Sequence, residues 1–205
     1  MRKLHVLLMV VMLGALIWGL NAYAQPMEDI TFNGAFNDGL KGWKVTKDGP
    51  GEFTIKVEKQ GNKNVLHIIR KGSHRKKGYV CISQEWNPPA KGDSVYLEIQ
   101  ARINFQQLKT SGRWSKKDPK SACYPIHLLI YSPEKCIYDW GITTRDNPPG
   151  YPMNYIVKPD KQWFYFDTVP TPIKGTGVKR VEIKFEGYDF DVEVNAVKTF
   201  TAKQF

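Results

Sequence analysis

Four residues at alternate positions, Tyr96, Glu98, Gln100 and Arg102, gather a hydroxyl, a carboxylate, an amide and a guanidinium within one short stretch. Planar polar groups of this kind hydrogen-bond the hydroxyls of a sugar, and aromatic rings stack on its C–H faces. Trp114, Tyr138, Trp140, Tyr151 and Tyr155 lie in or beside two long connections and have polar or Pro neighbours that favour exposure. Together the nine residues form a candidate ligand-binding set. The competing reading caps the core with Trp140 and Tyr155 and pairs Arg102 with a carboxylate on the neighbouring strand.

Other chemistry is less well represented. A polysaccharide lyase needs a general base, a neutralising Arg or Gln and a Tyr or His near the leaving oxygen. Arg102, Gln100, His127 and Tyr131 supply those types if adjacent strands bring them to one face. The chain has no lyase signature, and no carboxylate pair is singled out for glycoside hydrolysis, so no catalytic residue is assigned. Cys81, Cys123 and Cys136 form no Cys-x-x-Cys, and His67, His74 and His127 are too scattered to propose a metal site. A structural or protein-interaction module of the cell envelope would need no special residues at all.

The elements that must position the candidate set read as strands. From Ser94 to Phe105, Val95, Leu97, Ile99, Ala101, Ile103 and Phe105 alternate with Tyr96, Glu98, Gln100, Arg102 and Asn104, which predicts a strand with one buried face. Similar runs cover Glu52 to Glu58, Val65 to Arg70, Tyr79 to Trp86, Pro125 to Tyr131, Cys136 to Thr143, Trp163 to Thr168, Val178 to Glu186 and Phe190 to Phe200. In the last of these, Phe190, Val192, Val194 and Ala196 are expected to face inward. The Pro-rich segment from Asn147 to Asp160 cannot be a central strand, because each Pro removes a ladder donor. Ten or eleven short strands and no helix longer than a turn predict an all-β antiparallel sandwich, a jelly roll.

Arg2 and Lys3, an apolar run from Leu4 to Leu20 and Ala22-Tyr23-Ala24 have the form of a secretory signal peptide cleaved after Ala24. Residues 25–205 then form a single domain, secreted or periplasmic and monomeric, and no later segment is apolar for long enough to span a membrane. Removing the leader takes two of the 30 basic residues and none of the 20 acidic ones, leaving the mature chain at +8. Export excludes nucleic acid as the partner for that charge and favours a polysaccharide, including an anionic or cell-envelope glycan. In an oxidising compartment, Cys123 and Cys136 are expected to form a disulfide that closes a small loop, with Cys81 left as a buried thiol.

Asn33-Gly34-x-Phe36, Gly39-Leu40-x-Gly42-Trp43, the stretch Gly92 to Leu97 and the closing strand Val192 to Phe200 resemble the carbohydrate-binding modules attached to xylanases and cellulases. The resemblance spans nearly the whole mature chain. It implies a galactose-binding-like jelly roll and non-catalytic binding of a glycan. Such modules commonly end in an Asp-Asn pair that helps hold a structural calcium. This chain has Asn195-Ala196 there, one carboxylate fewer for a hard cation, so neither a metal nor another cofactor is expected.

Overall fold

A computed structural model of the protein describes residues 27–72, 76–107, 124–143, 154–157, 161–173 and 177–202. The expected leader and its cleavage site lie outside these residues. Thirteen strands are present among the described residues, and no helix. They are β1 (Met27–Asp29), β2 (Lys44–Asp48), β3 (Glu52–Gln60), β4 (Lys63–Lys71), β5 (Gly78–Ala90), β6 (Ser94–Gln106), β7 (Ile126–Tyr131), β8 (Cys136–Thr143), β9 (Asn154–Ile156), β10 (Phe164–Asp167), β11 (Thr171–Pro172), β12 (Val178–Gly187) and β13 (Phe190–Ala202).

The strands form two sheets that enclose one core, the expected sandwich. A seven-stranded sheet runs in the order β10-β6-β13-β4-β3, with β1 added to β13 and β11 to β6. The six-stranded partner runs β2-β5-β12-β7-β8-β9. All pairings are antiparallel except that of β9, which lies parallel to β8 at the edge, where a Pro-rich segment is tolerated. Leu97, Ile99 and Ala101 of β6, Val192 and Val194 of β13, Ile82 of β5, Leu128 and Ile130 of β7 and Ile183 of β12 are fully buried between the sheets.

The Asn33–Trp43 motif is structural. Asn33 donates its side-chain amide to the carbonyls of Gly39 (3.0 Å) and Lys41 (3.1 Å) and accepts the Asp38 N–H, while Trp43 donates its indole N–H back to the Asn33 carbonyl at 3.2 Å. This knot drives Phe36 and Trp43 into the core as a tilted aromatic pair.

Two bulges break the expected alternation. Asp191 and Val192 pair with Phe105 and Ile103, so Asn104 is the extra residue on β6; Val194 and Ala196 pair with Ala101 and Gln100, so Asn195 is the extra residue on β13. Each bulge resets which residues face inward. Phe105 is consequently 53% exposed instead of buried, and Val197 rather than Ala196 enters the core.

Arg70 ends the inward row of β4 and is fully buried. Its guanidinium donates to the carbonyls of Pro50 (2.5 Å), Lys76 (2.9 Å), Gly187 (2.9 Å) and Tyr188, and it lies 5.5 Å over the Phe53 ring. One side chain thus ties three turns at one end of the sandwich. Arg70→Met keeps the apolar stem but strips four carbonyls of a donor. It is expected to cost about 3 kcal/mol or more, since each buried polar group left without a partner costs about 1–3 kcal/mol. Urea unfolding of the two proteins measures this, and equal midpoints would refute the role.

Candidate functional site

The outer face of the seven-stranded sheet collects most of the molecule's hydrogen-bonding chemistry, because alternation along each strand sends the polar set to the side away from the core. Tyr96, Glu98, Gln100 and Arg102 all stand on this face, as expected, with Asn104 beside them. The register aligns Lys56 of β3, His67 of β4, Glu193 of β13 and Arg102 of β6 in one row across four strands. Trp163, just before β10, closes the row: the Arg102 guanidinium lies 4.9 Å over its ring centroid. Next to it, Gln100 pairs directly with Tyr165 of β10.

Glu193 is the centre of this arrangement. Only 4% exposed, it needs neutralising partners, and it has them. Arg102 donates through both Nε and Nη2 to Oε2 at 2.5 Å and through Nη2 to the Gln60 amide oxygen at 3.1 Å. Asn104 donates to Oε1 of Glu193 at 3.1 Å and to Asp191 at 2.9 Å. His67 stands between Glu58 and Asp191, with a ring nitrogen 2.9 Å from each. Asn195, the extra residue of its bulge, donates to Gln100, so this Asn serves as a hydrogen-bond donor on the face.

At the other end of the face the surface becomes aromatic. Tyr96 stacks on Phe200, with ring centroids 4.8 Å apart and planes at 15°, and Lys198 lies over the Phe200 ring. Tyr165 is 55% exposed. Partial burial against the sheet and a hydrogen bond to the Glu98 carboxylate both raise its phenol above the ordinary range, so it stays a neutral donor. Burial also raises the Tyr96 phenol, and the negative charge of nearby Glu98 adds to it. Among the described residues the face sets Asp29, Glu52, Glu58, Glu98, Asp167, Asp191 and Glu193 against Lys56, Lys63, Lys71, Arg102 and Lys198.

Other expected site residues are placed differently. Tyr138 and Trp140 occupy inward positions of β8: Tyr138 is 6% exposed, stacks on Trp140 at 5.9 Å, and Trp140 meets Phe166 of the facing sheet at 5.6 Å. Burial pushes the Tyr138 phenol up to about 12. Tyr138 is thus part of the core, and Trp140 is partly buried against it. Trp114 and Tyr151 lie outside the described residues, and of Tyr155 only the backbone is described, in β9. The lyase set is divided, since His127 and Tyr131 belong to β7 in the six-stranded sheet while Gln100 and Arg102 belong to β6 in the other.

The expected Cys123–Cys136 disulfide involves Cys123, which lies outside the described residues. Cys136 opens β8 opposite Tyr131, and its thiol donates to the Tyr138 carbonyl at 3.0 Å. Tyr124 stands at the other end of the hairpin, where its ring lies over Gly141 so closely that a Cβ there would come within 2.2 Å.

Sequence reasoning missed His67, Asp191, Glu193, Trp163 and Tyr165 as site residues. For the two aromatics a signal existed: in Trp163-Phe164-Tyr165-Phe166 one alternate pair must face out, and Lys161 and Gln162 before it mark an edge strand. For the other three no local signal existed, because their partners are far away in sequence.

No protein-family model matches this chain, and no curated protein matches it significantly. Among solved structures, TmCBM61 in complex with β-1,4-galactotriose has a TM-score of 0.52 at 11% identity, covering 85% of this chain and 99% of that one. The enzymatically active domain of bacteriophage CBA120 tailspike protein 4 has a TM-score of 0.53 at 10% identity, over 83% of this chain and 21% of that one. The chain thus spans about a fifth of the tailspike domain. The fold is the jelly-roll sandwich of the carbohydrate-binding modules.

The cysteine geometry has a direct test. Cys81 is 7% exposed, and burial first of all pushes its thiol up to about 12, whereas Cys136 is exposed. A thiol reagent at pH 8 is expected to label Cys136 in the native protein and Cys81 only after denaturation. Labelling of Cys81 in the native protein, or no labelling of Cys136, would overturn this assignment.

Proposed function

We propose that the outer face of the seven-stranded sheet binds an extended glycan without catalysis, and that the chain does so outside the cytoplasm. The observation that carries this reading is the juxtaposition of the exposed Tyr165 ring with Gln100 and with the Arg102–Trp163 stack on one open, polar sheet face. A ring for the sugar's C–H side and planar groups for its hydroxyls stand side by side there. The complex of TmCBM61 with β-1,4-galactotriose supports the reading only by sharing the fold.

The net charge of +10 taken alone would favour an anionic polysaccharide. The face argues otherwise, since its described carboxylates outnumber its permanent cations, so an uncharged polysaccharide, including one of the cell envelope, is the better fit. A lyase reading loses its footing because Arg102 is committed to Glu193 and the other two members of the set stand on the opposite sheet.

Exposed stacking contributes about 1 kcal/mol per ring, so short oligosaccharides are expected to bind in the millimolar to micromolar range, about −4 to −8 kcal/mol. A glycan array followed by calorimetry checks this. Tyr165→Ala is expected to weaken binding about fivefold, from the same stacking contribution, and Trp140→Phe to leave it unchanged. Binding should also be nearly insensitive to salt, because an uncharged ligand offers nothing to screen. Failure of every neutral glycan, or undiminished binding by Tyr165→Ala, would remove the face from consideration.

Export rests on the leader at residues 1–24. The intact mass of the secreted protein is expected to begin at Gln25, and a mass retaining the leader would refute cleavage.

A further inference from the structure

We infer that His67, Asp191 and Glu193 form a binding site for a divalent transition cation of the zinc type, with Glu58 orienting the imidazole. One ligand atom each of Glu58, His67 and Glu193 lies within 4.8 Å of the others, and Asp191 adds a fourth residue at 2.9 Å from the ring. An imidazole can give only one of these directions to a metal. Nε2 has two carboxylates about it, Asp191 Oδ1 at 2.9 Å and Glu193 Oε1 at 3.9 Å. Ligand atoms about 2.1 Å from a tetrahedral zinc are about 3.4 Å apart, and each of these two nitrogen–oxygen separations lies about half an ångström from that value.

The other ring nitrogen points to the same assignment. Metal-bound histidines usually donate their second N–H to a carboxylate, which fixes the tautomer and the ring plane. Here Nδ1 lies 2.9 Å from Glu58 Oε1, and Lys56 holds the other oxygen of that carboxylate at 2.6 Å. Glu193 is similarly prepared: Arg102 takes Oε2, which leaves Oε1 turned toward His67 and Asn104. Asn104 donates to the same two oxygens that face Nε2, and rotating its amide by half a turn would offer its oxygen as a fourth ligand. One nitrogen and two or three oxygens suit a borderline cation, and the imidazole disfavours calcium and magnesium. Four strands supply the pieces, each from the outer face.

The inference stands apart from the glycan reading, and its test uses no sugar. Chelator-treated protein is titrated with zinc chloride by calorimetry and loaded with Co²⁺ for visible absorption. One saturable site per chain is expected. His67→Gln, which keeps a hydrogen bond for Glu58, and Glu193→Gln are each expected to weaken binding by at least about tenfold and to abolish the cobalt band. His127→Gln, which removes the imidazole paired with Asp139 on the opposite sheet, is expected to change neither. Should Glu193→Gln fail to fold, Asp191→Asn takes its place with the same expectation. Absence of saturable binding, or an unchanged affinity and spectrum in His67→Gln, would overturn the site.

Discussion

A carboxylate buried on what should be a wet face is the constraint around which this molecule is arranged. Glu193 stands on the outer side of the seven-stranded sheet yet is almost wholly covered, by Arg102, Asn104 and His67. A charge in such a place is tolerated only with good geometry and additional hydrogen bonds. Those requirements fix more than one side chain. Arg102 must lie flat to reach Oε2 with two donors, and lying flat it stacks on Trp163, so the ion pair also sets the position of an aromatic ring at the sheet's edge.

That geometry depends on strand order. β13, the last strand in the chain, is inserted between β6 and β4. Because β13 lies between them, its carboxylates face β6's guanidinium and amide on one side and β4's imidazole on the other. Long-range pairing of this kind is slow to form, and until it forms Asp191 and Glu193 lack their partners on β6 and β4. Inside the sandwich the same pairing brings Ile103, Ala101 and Ile99 beside Val192, Val194 and Val197, so the core and the face stand or fall together.

The fold was largely legible because a period of two is a local property. The alternation of β6 named its inward and outward residues correctly from Val95 to Asn104, and the runs for β3, β4, β7, β8 and β12 were equally direct. What failed were features with no local signature. A bulge adds one residue without changing composition, so nothing around Asn195 announced that Val197 would replace Ala196 in the core. The same applies to Asn104, whose bulge turned Phe105 outward. The expected cysteine pairing lies outside the described residues at Cys123. The site was half legible. Its β6 members were readable, while His67, Asp191 and Glu193 became a site only through contacts between distant strands.

The aromatic residues show how little residue type says about role when phase is unknown. Tyr138 and Trp140 were as good candidates for an exposed platform as Trp163 and Tyr165, since all four sit in or beside short strands with polar neighbours. Their fates differ because β8 turns its tyrosine and tryptophan toward Phe166, where burying the rings gains apolar contact, whereas β10 turns Phe164 and Phe166 inward and leaves Trp163 and Tyr165 on the open side. An edge strand has one sheet neighbour instead of two, so an outward ring there is covered less and can remain half exposed, as Tyr165 does. Placing those rings at the edge, beside the planar groups of β6, sets an apolar surface directly against a hydrogen-bonding one. That division of the face, rather than the number of aromatic residues in the chain, is what a sugar with a C–H side and a hydroxyl rim requires.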